Sequence, residues 1–344
     1  MSYTKKLNTV YTSQFYKPKN FWDSCLIAKG QISYHKKNYS RYFQLPIKDF
    51  KKKKTLESGS GQGIHAVILA LMGGEVHAAD ILKSNISKTR KLKKAYKLNN
   101  LIVSPHDFRK EYKKSKKFDL IACHNWIQHC PNPGLILKNL VKNMDKGSKL
   151  YISCYLSGTF RFYITQIARE VIKFEDFLKL KKRTNIFFKK GFSIYKNPLD
   201  IYGSNIRDDF LTPYCITTTY DNLLKITKRY DLKIMTKIPK IKNLIFRDNI
   251  PLRASFVKVT KKNNFRKNKL FLNPINEFEK STCKEKNECT TLSKKIINNI
   301  RKRSTSSQRV NFCLNLYKIR SRYSLLNNVQ KYIELKKYLT NYTY

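Results

Sequence analysis

Thr55-Leu56-Glu57-Ser58-Gly59-Ser60-Gly61-Gln62-Gly63 is the stretch on which the fold turns, and a second short apolar run after it ends at Asp80. Read together they predict a strand, a glycine-rich bend, a helix and a second strand tipped by a carboxylate. Bare backbone N–H groups at such a bend, with an acid one strand away, cradle the adenosine end of a nucleotide-like cofactor.

The alternation continues outward from that point. Strands are predicted at Lys54–Ser58, Glu75–Ala79, Leu101–Ser104, Phe118–Cys123 and Lys149–Cys154. Helices are predicted at Gln62–Met72, Leu82–Leu98 and Gly134–Met144, with a turn at Asp145-Lys146-Gly147-Ser148. Strands separated by helices of this length give a right-handed, doubly wound sheet. The expected fold class is α/β: a Rossmann-like, mostly parallel sheet with helices on both faces, plus a helical insertion and a basic helical C-terminal tail. The rhythm breaks after Ser157. Phe160–Lys182 reads as a long helix, Thr219–Tyr230 as another, and Leu232–Ile238 and Ser255–Thr260 as the last strands. The organisation expected is a lead-in at 1–50, a core domain at 51–260 with an insertion at 157–216 acting as a lid, a linker at 261–288 and a basic extension at 289–344.

Composition narrows the classes. The chain has 344 residues, 41% of them hydrophobic, enough for a sizeable core. The longest apolar run near the front, Ala66 to Met72, is far short of a membrane span. The start is polar and basic, without the apolar segment of an export signal, so a cytoplasmic protein is expected. Eight cysteines without a CxxC pair read as free thiols, and Cys283, Cys289 and Cys313 fit no common zinc spacing, so no metal is expected. The net charge of +48 raises a nucleic-acid partner. Abundant Lys, Asn, Ile, Tyr and Phe point to codon bias instead. The runs Lys51–Lys54 and Lys113–Lys117 also precede strands, on the sheet edge opposite the one where ligands bind.

The glycine spacing is G-x-G-x-G, with the third glycine one residue early for a dinucleotide fingerprint, which disfavours a dehydrogenase. Asp80 follows Gly59 by 21 residues, where a carboxylate accepts from both ribose hydroxyls; its plainer role is a helix N-cap. Asp107-Phe108 follows the third strand and can serve an adenine edge and face, or be a turn beside a core ring. Phe118–His124, Asn125 and the stretch through Pro133 form the fourth strand and its exit.

The order of these segments resembles the class I S-adenosylmethionine-dependent methyltransferases over roughly residues 50–155, with a looser match at 219–260. The run His124-Asn125-Trp126-Ile127-Gln128-His129-Cys130-Pro131-Asn132-Pro133 is similar to the segment after strand four in the small-molecule branch. The resemblance implies S-adenosyl-L-methionine as cofactor. It implies that Glu57, Gly59, Ser60, Gly61 and Gly63 line the methionine end, that Asp80 and Ile81 hold ribose and adenine, and that Asp107 and Phe108 take the adenine edge and face. His124 and Asn125 would stand by the sulfonium. Glu57 where Asp is common, polar Ser58, and a 145–148 turn without the usual Pro and paired glycines depart from the family pattern. The chain also lacks the Asn-Pro-Pro-Tyr-type signature of base-amino methylation.

Because the sulfonium methyl is already activated, no base is obligatory. His129, His35 and Tyr34 are the candidates, with packing or exposure as the plainer reading of each; Arg207, Asp208 and Asp209 are substrate-contact candidates. The function expected is methyl transfer to a small-molecule or metabolite-linked acceptor. The rivals are an RNA or protein methyltransferase anchored by the basic tail, and a non-catalytic module on the same fold.

Overall fold

The computed structural model describes residues 27, 29–112, 117–157, 159–172, 176, 212–237, 252–260, 284–322 and 328–342. The chain divides into two compact units. One comprises Met1–Tyr155, Ile216–Ile238 and Pro251–Phe271; the other Leu156–Cys215, Pro239–Ile250 and Leu272–Tyr344.

The first unit is built on β1 (Lys54–Ser58), β2 (Glu75–Asp80), β3 (Leu101–Pro105), β4 (Phe118–His124), β5 (Met144–Leu156), β6 (Thr217–Thr218), β7 (Leu232–Ile234) and β8 (Leu252–Lys258). The strand order is β3-β2-β1-β4-β5-β8-β7, with β6 beside β5. β1 to β5 pair in parallel, while β8 runs antiparallel to both β5 and β7. The Rossmann-like, mostly parallel sheet expected from the sequence is therefore present, and its last strands close it as an antiparallel pair. The order reverses between β1 and β4, and in open α/β sheets the ligand crevice lies outside the strand ends at such a switch point.

Helices α1 (Lys29–Phe43), α2 (Ile64–Leu71), α3 (Lys83–Ala95), α4 (Pro133–Val141) and α6 (Tyr220–Lys228) belong to this unit. α2 is apolar almost all round, and Ala66 to Ala70 are buried, as a helix sandwiched in a core must be. Asn132 caps α4 by accepting from Leu135 N at 3.0 Å, with Pro133 at the first helical position. Thr219 caps α6 through Asn222 N at 3.1 Å. The lead-in supplies α1, whose Tyr39, Tyr42 and Phe43 are buried in the same core. Tyr42 stacks on Tyr151 of β5 with centroids 4.3 Å apart. Rings of this size each bury a large apolar area and dominate core energetics.

Three expectations are corrected. The helix expected to run to Met144 ends at Val141, and Met144 opens β5 by pairing with Phe118. Residues 145–148 are not a free turn ahead of the strand. They bulge within it, because Ser148 Oγ donates to Phe118 O at 2.7 Å while accepting from Asp145 N, and Gly147 takes a φ of +87°. Asp80 is not the N-cap of α3; Leu82 holds that position.

The second unit holds α5 (Phe160–Val171), α7 (Lys284–Arg303), α8 (Ser306–Arg322) and α9 (Asn328–Thr340). The sequence reading separated an insertion from a tail, yet α5 of the insertion and the tail helices belong to one unit. α5 buries Phe160, Phe162, Tyr163, Ile164 and Ile167 and needs apolar partners. Tyr163 OH lies 3.1 Å from Thr290 Oγ1, Phe160 meets Tyr332 edge-on, and Cys313 Sγ donates to Ala168 O. Arg309 makes a fully buried two-pronged pair with Asp176, at 2.6 and 2.8 Å. Of the long helix expected over 160–182, the described part ends at Val171; Arg207, Asp208 and Asp209 lie outside the described residues.

Candidate active site

The bend between β1 and α2 is shaped by its glycines. Gly59 has a φ of +61°, and a Cβ there would stand 2.5 Å from the Trp126 ring. Gly63 has a φ of +87°, and its Cβ would meet Thr89 Oγ1 at 2.5 Å. Both positions are closed to any other residue by conformation and by space. Trp126 is fixed over the bend by Nε1 donating to Ser58 Oγ at 3.3 Å, and its ring leans on Phe108 at 5.5 Å.

Asp80 sits beneath this bend. Its Oδ2 accepts from Gly61 N and its Oδ1 from Leu82 N, each at 2.8 Å, so one buried carboxylate ties the loop to the tip of β2. Burial nevertheless leaves its pKa raised, against the pull of the backbone donors at Leu82, Gly61 and Ile81 and of the Asn85 side chain. A carboxylate has about four acceptor positions, and these four donors occupy them, so burial rather than a shortage of partners penalises this anion.

Asp107 is in a different condition. Arg109 grips it through Nε at 2.9 Å and Nη2 at 2.6 Å, with Arg109 N adding a third donor at 3.0 Å. Partial burial pushes its carboxyl upward, but the Arg109 hydrogen bonds and charge hold it below the usual range. Phe108 is buried against Tyr112 and Trp126.

The methionine end of the predicted cradle carries polar atoms without partners among the described residues. Glu57 is buried and its Oε2 accepts no hydrogen bond; Ser60 Oγ, two residues past Ser58, is likewise unpaired. Burial drives the Glu57 carboxyl well above its ordinary value. Buried polar groups in folded proteins are nearly always paired, so an acid held open at a bare bend marks a place for a polar, cationic group. The residues fit S-adenosylmethionine on that ground.

Beside Glu57 the structure gathers an aromatic and imidazole cluster. His35 of α1, His65 of α2 and His124 of β4 converge. The His65 and His124 rings stack at 4.0 Å, and His35 meets His65 edge-on at 4.9 Å. The Nδ1 atoms of His65 and His124 are buried without partners among the described residues. Burial lowers all three pKa values, with His124 brought to about 3. Arg253 of β8 adds to the depression of His35 and His124. His124, Ser153 and Arg253 are partners along one row of β4, β5 and β8.

Of the other sequence candidates, Asn125 takes a φ of +54°; its N–H donates to Ser153 O at 2.9 Å, and Ser153 Oγ donates to its Oδ1. Ile81 is half-buried at the tip beyond Asp80. His129 is buried with Nε2 near Gln128 Nε2 and Tyr155 OH, at 3.3 and 3.4 Å, which is the packed role. Tyr34 is 59% exposed, and only its ring edge touches His35. Sequence reasoning missed His65, Trp126 and Arg253. His65 was signalled by its place two residues past Gly63, and Trp126 by lying inside the quoted run after β4. Arg253 has no local signal, because only the β5–β8 pairing brings it there.

A parallel sheet with its switch point beneath a glycine bend, a buried acid on the neighbouring strand and an antiparallel closing pair together define a nucleoside-cofactor transferase fold. A methyltransferase-domain family model matches residues 49–177. An O-methyltransferase of ubiquinone biosynthesis from Hydrogenovibrio crunogenus is 24% identical over 184 residues, covering 48% of this chain and 75% of the relative. A protein of the same description from Rickettsia conorii is 30% identical over 135 residues, covering 39% and 45%. The chain thus spans three quarters of one relative and less than half of the other. Among solved structures, magnesium protoporphyrin IX methyltransferase from Synechocystis, determined with bound SAH, superposes with a TM-score of 0.43 at 13% identity, covering 74% of this chain and 98% of that one. Residues 49–177 form a methyltransferase domain, of the class I S-adenosylmethionine-dependent type. No described helix is long and apolar enough to cross a membrane.

Proposed function

We propose that this protein transfers the S-adenosylmethionine methyl group to an oxygen of a small-molecule acceptor. The observation that carries the reading is the glycine bend itself, tied to the buried Asp80 through Gly61 N and holding a buried Glu57 whose Oε2 has no partner among the described residues. When bound, the cofactor supplies an electrophilic methyl on a positively charged sulfur. Gly59, Ser60, Gly61 and Gly63 present backbone to it, Asp80 and Ile81 face its ribose and adenine, and Glu57 faces its cationic end. Asp107 and Phe108 border the adenine, with Asp107 already committed to Arg109. His124 and Asn125 stand at the β4 tip, beside the reacting end. The chain's task is to orient, to exclude water and to take up a proton where one must leave. The description of the curated relatives, O-methyltransferases of ubiquinone biosynthesis, supports oxygen as the acceptor atom.

Transfer of labelled methyl from S-adenosylmethionine into fractionated cell extract, with and without nuclease, tests this. Label in the small-molecule fraction, abolished by Gly59→Val, is expected. Label that disappears with nuclease would favour an RNA acceptor for a chain of charge +48.

A further inference from the structure

Helix α3 carries basic residues along its length and no acid. With the α-helical repeat, Lys83, Arg90, Lys91 and Lys94 share one face, and all four are exposed. None of them pairs with an acid among the described residues. Like charges three and four residues apart destabilise a helix, and Lys94 meets Lys91 and Arg90 at those spacings. Codon bias can supply lysines, but it does not arrange them around a groove. Here they line one: a cavity of about 530 Å³ beside the end of β3, walled by Lys83, Ile86, Arg90, Lys91, Lys94 and Pro105. Ile86 is buried, so the floor is apolar and the rim cationic. No described strand lies beyond β3 on that side of the sheet. Pro105 pairs with Asp80, so the groove begins at the strand tips and runs back along α3. The cofactor cradle takes no residue from it.

We propose that this groove binds the phosphate backbone of a single nucleic-acid strand, at a site apart from methyl transfer. Lys83 and Lys94 are separated by a helical rise of about 16 Å. A stacked strand advances about 3.4 Å per phosphate, so about four or five phosphates face the four cations. The apolar floor suits the sugars and base edges between them. An anionic membrane fits less well. A helix that lies on lipid exposes an apolar face beside its cations, whereas Ile86 is buried and Leu92 packs on the core. An acidic protein would want aromatic anchors at the centre of its contact, and α3 has none.

The test follows the fluorescence anisotropy of a short labelled uridylate oligomer titrated with the full-length protein. Two triple variants are compared with wild type. Arg90→Gln/Lys91→Gln/Lys94→Gln strips the groove, and Lys225→Gln/Lys228→Gln/Arg229→Gln removes the same charge from exposed positions on and beside α6. The groove variant should lose at least ~10-fold in affinity and the control less than ~3-fold. The slope of log affinity against log salt should become shallower by about 2 in the groove variant alone. Arg90→Lys, which keeps the charge, should bind as wild type does. Removing like charges should leave α3 no less stable, which thermal melts of all the proteins check. Absence of oligomer binding, or equal losses in the two triple variants, overturns the assignment to the groove. Competition by ATP as strong as by unlabelled oligomer, or preference for vesicles of phosphatidylglycerol and phosphatidylcholine over the oligomer, overturns the nucleic-acid strand as its occupant.

Discussion

Asp80 and Asp107 stand at the tips of neighbouring strands and look equivalent in the sequence, yet their surroundings differ. Asp80 is buried, holds the glycine loop through Gly61 N, and keeps a raised pKa. Asp107 is partly exposed and already neutralised by Arg109, with a lowered pKa. The first acid is penalised as an anion by its burial despite its backbone and Asn85 donors; the second is held as an anion by a cation two residues on. Open polar atoms are concentrated at the methionine end, where Glu57 and Ser60 are unpaired among the described residues. The adenine end is finished as a packing surface by Phe108, Tyr112 and Trp126.

The contrast can be broken in several ways, beginning with the largest effect. Gly59→Val forces a side chain into the Trp126 ring at a φ of +61°. Binding of S-adenosylhomocysteine, followed by calorimetry, should fall at least ~100-fold; an unchanged affinity would show that the ligand does not approach the bend.

Acid should weaken the domain through the imidazoles. The unfolded chain protonates its histidines near pH 6.5, whereas burial keeps His65 and His124 neutral far below that. The unfolded state therefore binds more protons, and stability is lost as pH falls through this window. Each imidazole should contribute up to about 1.4 kcal/mol per pH unit between about pH 6 and 4. Denaturant melts of wild type and a His65→Gln/His124→Gln double variant should diverge there, the variant giving the flatter profile.

Glu57 has the opposite sign. Its folded pKa is raised, so the protonated form is favoured by folding and ionisation above the unfolded value costs stability. Glu57→Gln should therefore stabilise the free protein at neutral pH by about 1 kcal/mol. Binding of cationic S-adenosylmethionine should ionise Glu57 and release up to about one proton, seen as a buffer-dependent heat of binding. Equal heats in buffers of different ionisation enthalpy would contradict the assignment of Glu57 to the cationic end.

Asp107→Ala should do least. The Arg109 pair is partly exposed and worth at most about 1 kcal/mol, so S-adenosylhomocysteine affinity should change only a few-fold.

Much of the first unit was legible because its signals are local. β1, the glycine bend, α2 and β2 occupy one short stretch, and periodicity located each strand of the parallel sheet. Features that depend on partners distant in the chain were not legible. Residues 145–148 read as a turn until Phe118 O is seen to accept from Ser148 Oγ across the strand. Arg253 joins His124 only through the β5–β8 register. The cover of α5 comes from helices more than a hundred residues away, and nothing near Tyr163 announces Thr290. Asp107 misleads for another reason: Arg109 is in plain view two residues on, but the pairing depends on a turn geometry that composition does not report.

The most direct test sets Asp80→Ala against Asp107→Ala in parallel titrations with S-adenosylhomocysteine, after both variants are shown to be folded. The account predicts that removing Asp80 costs about 2–3 kcal/mol of binding, roughly 30- to 150-fold, and that removing Asp107 costs only a few-fold. Equal losses, or a larger loss at Asp107, would contradict it.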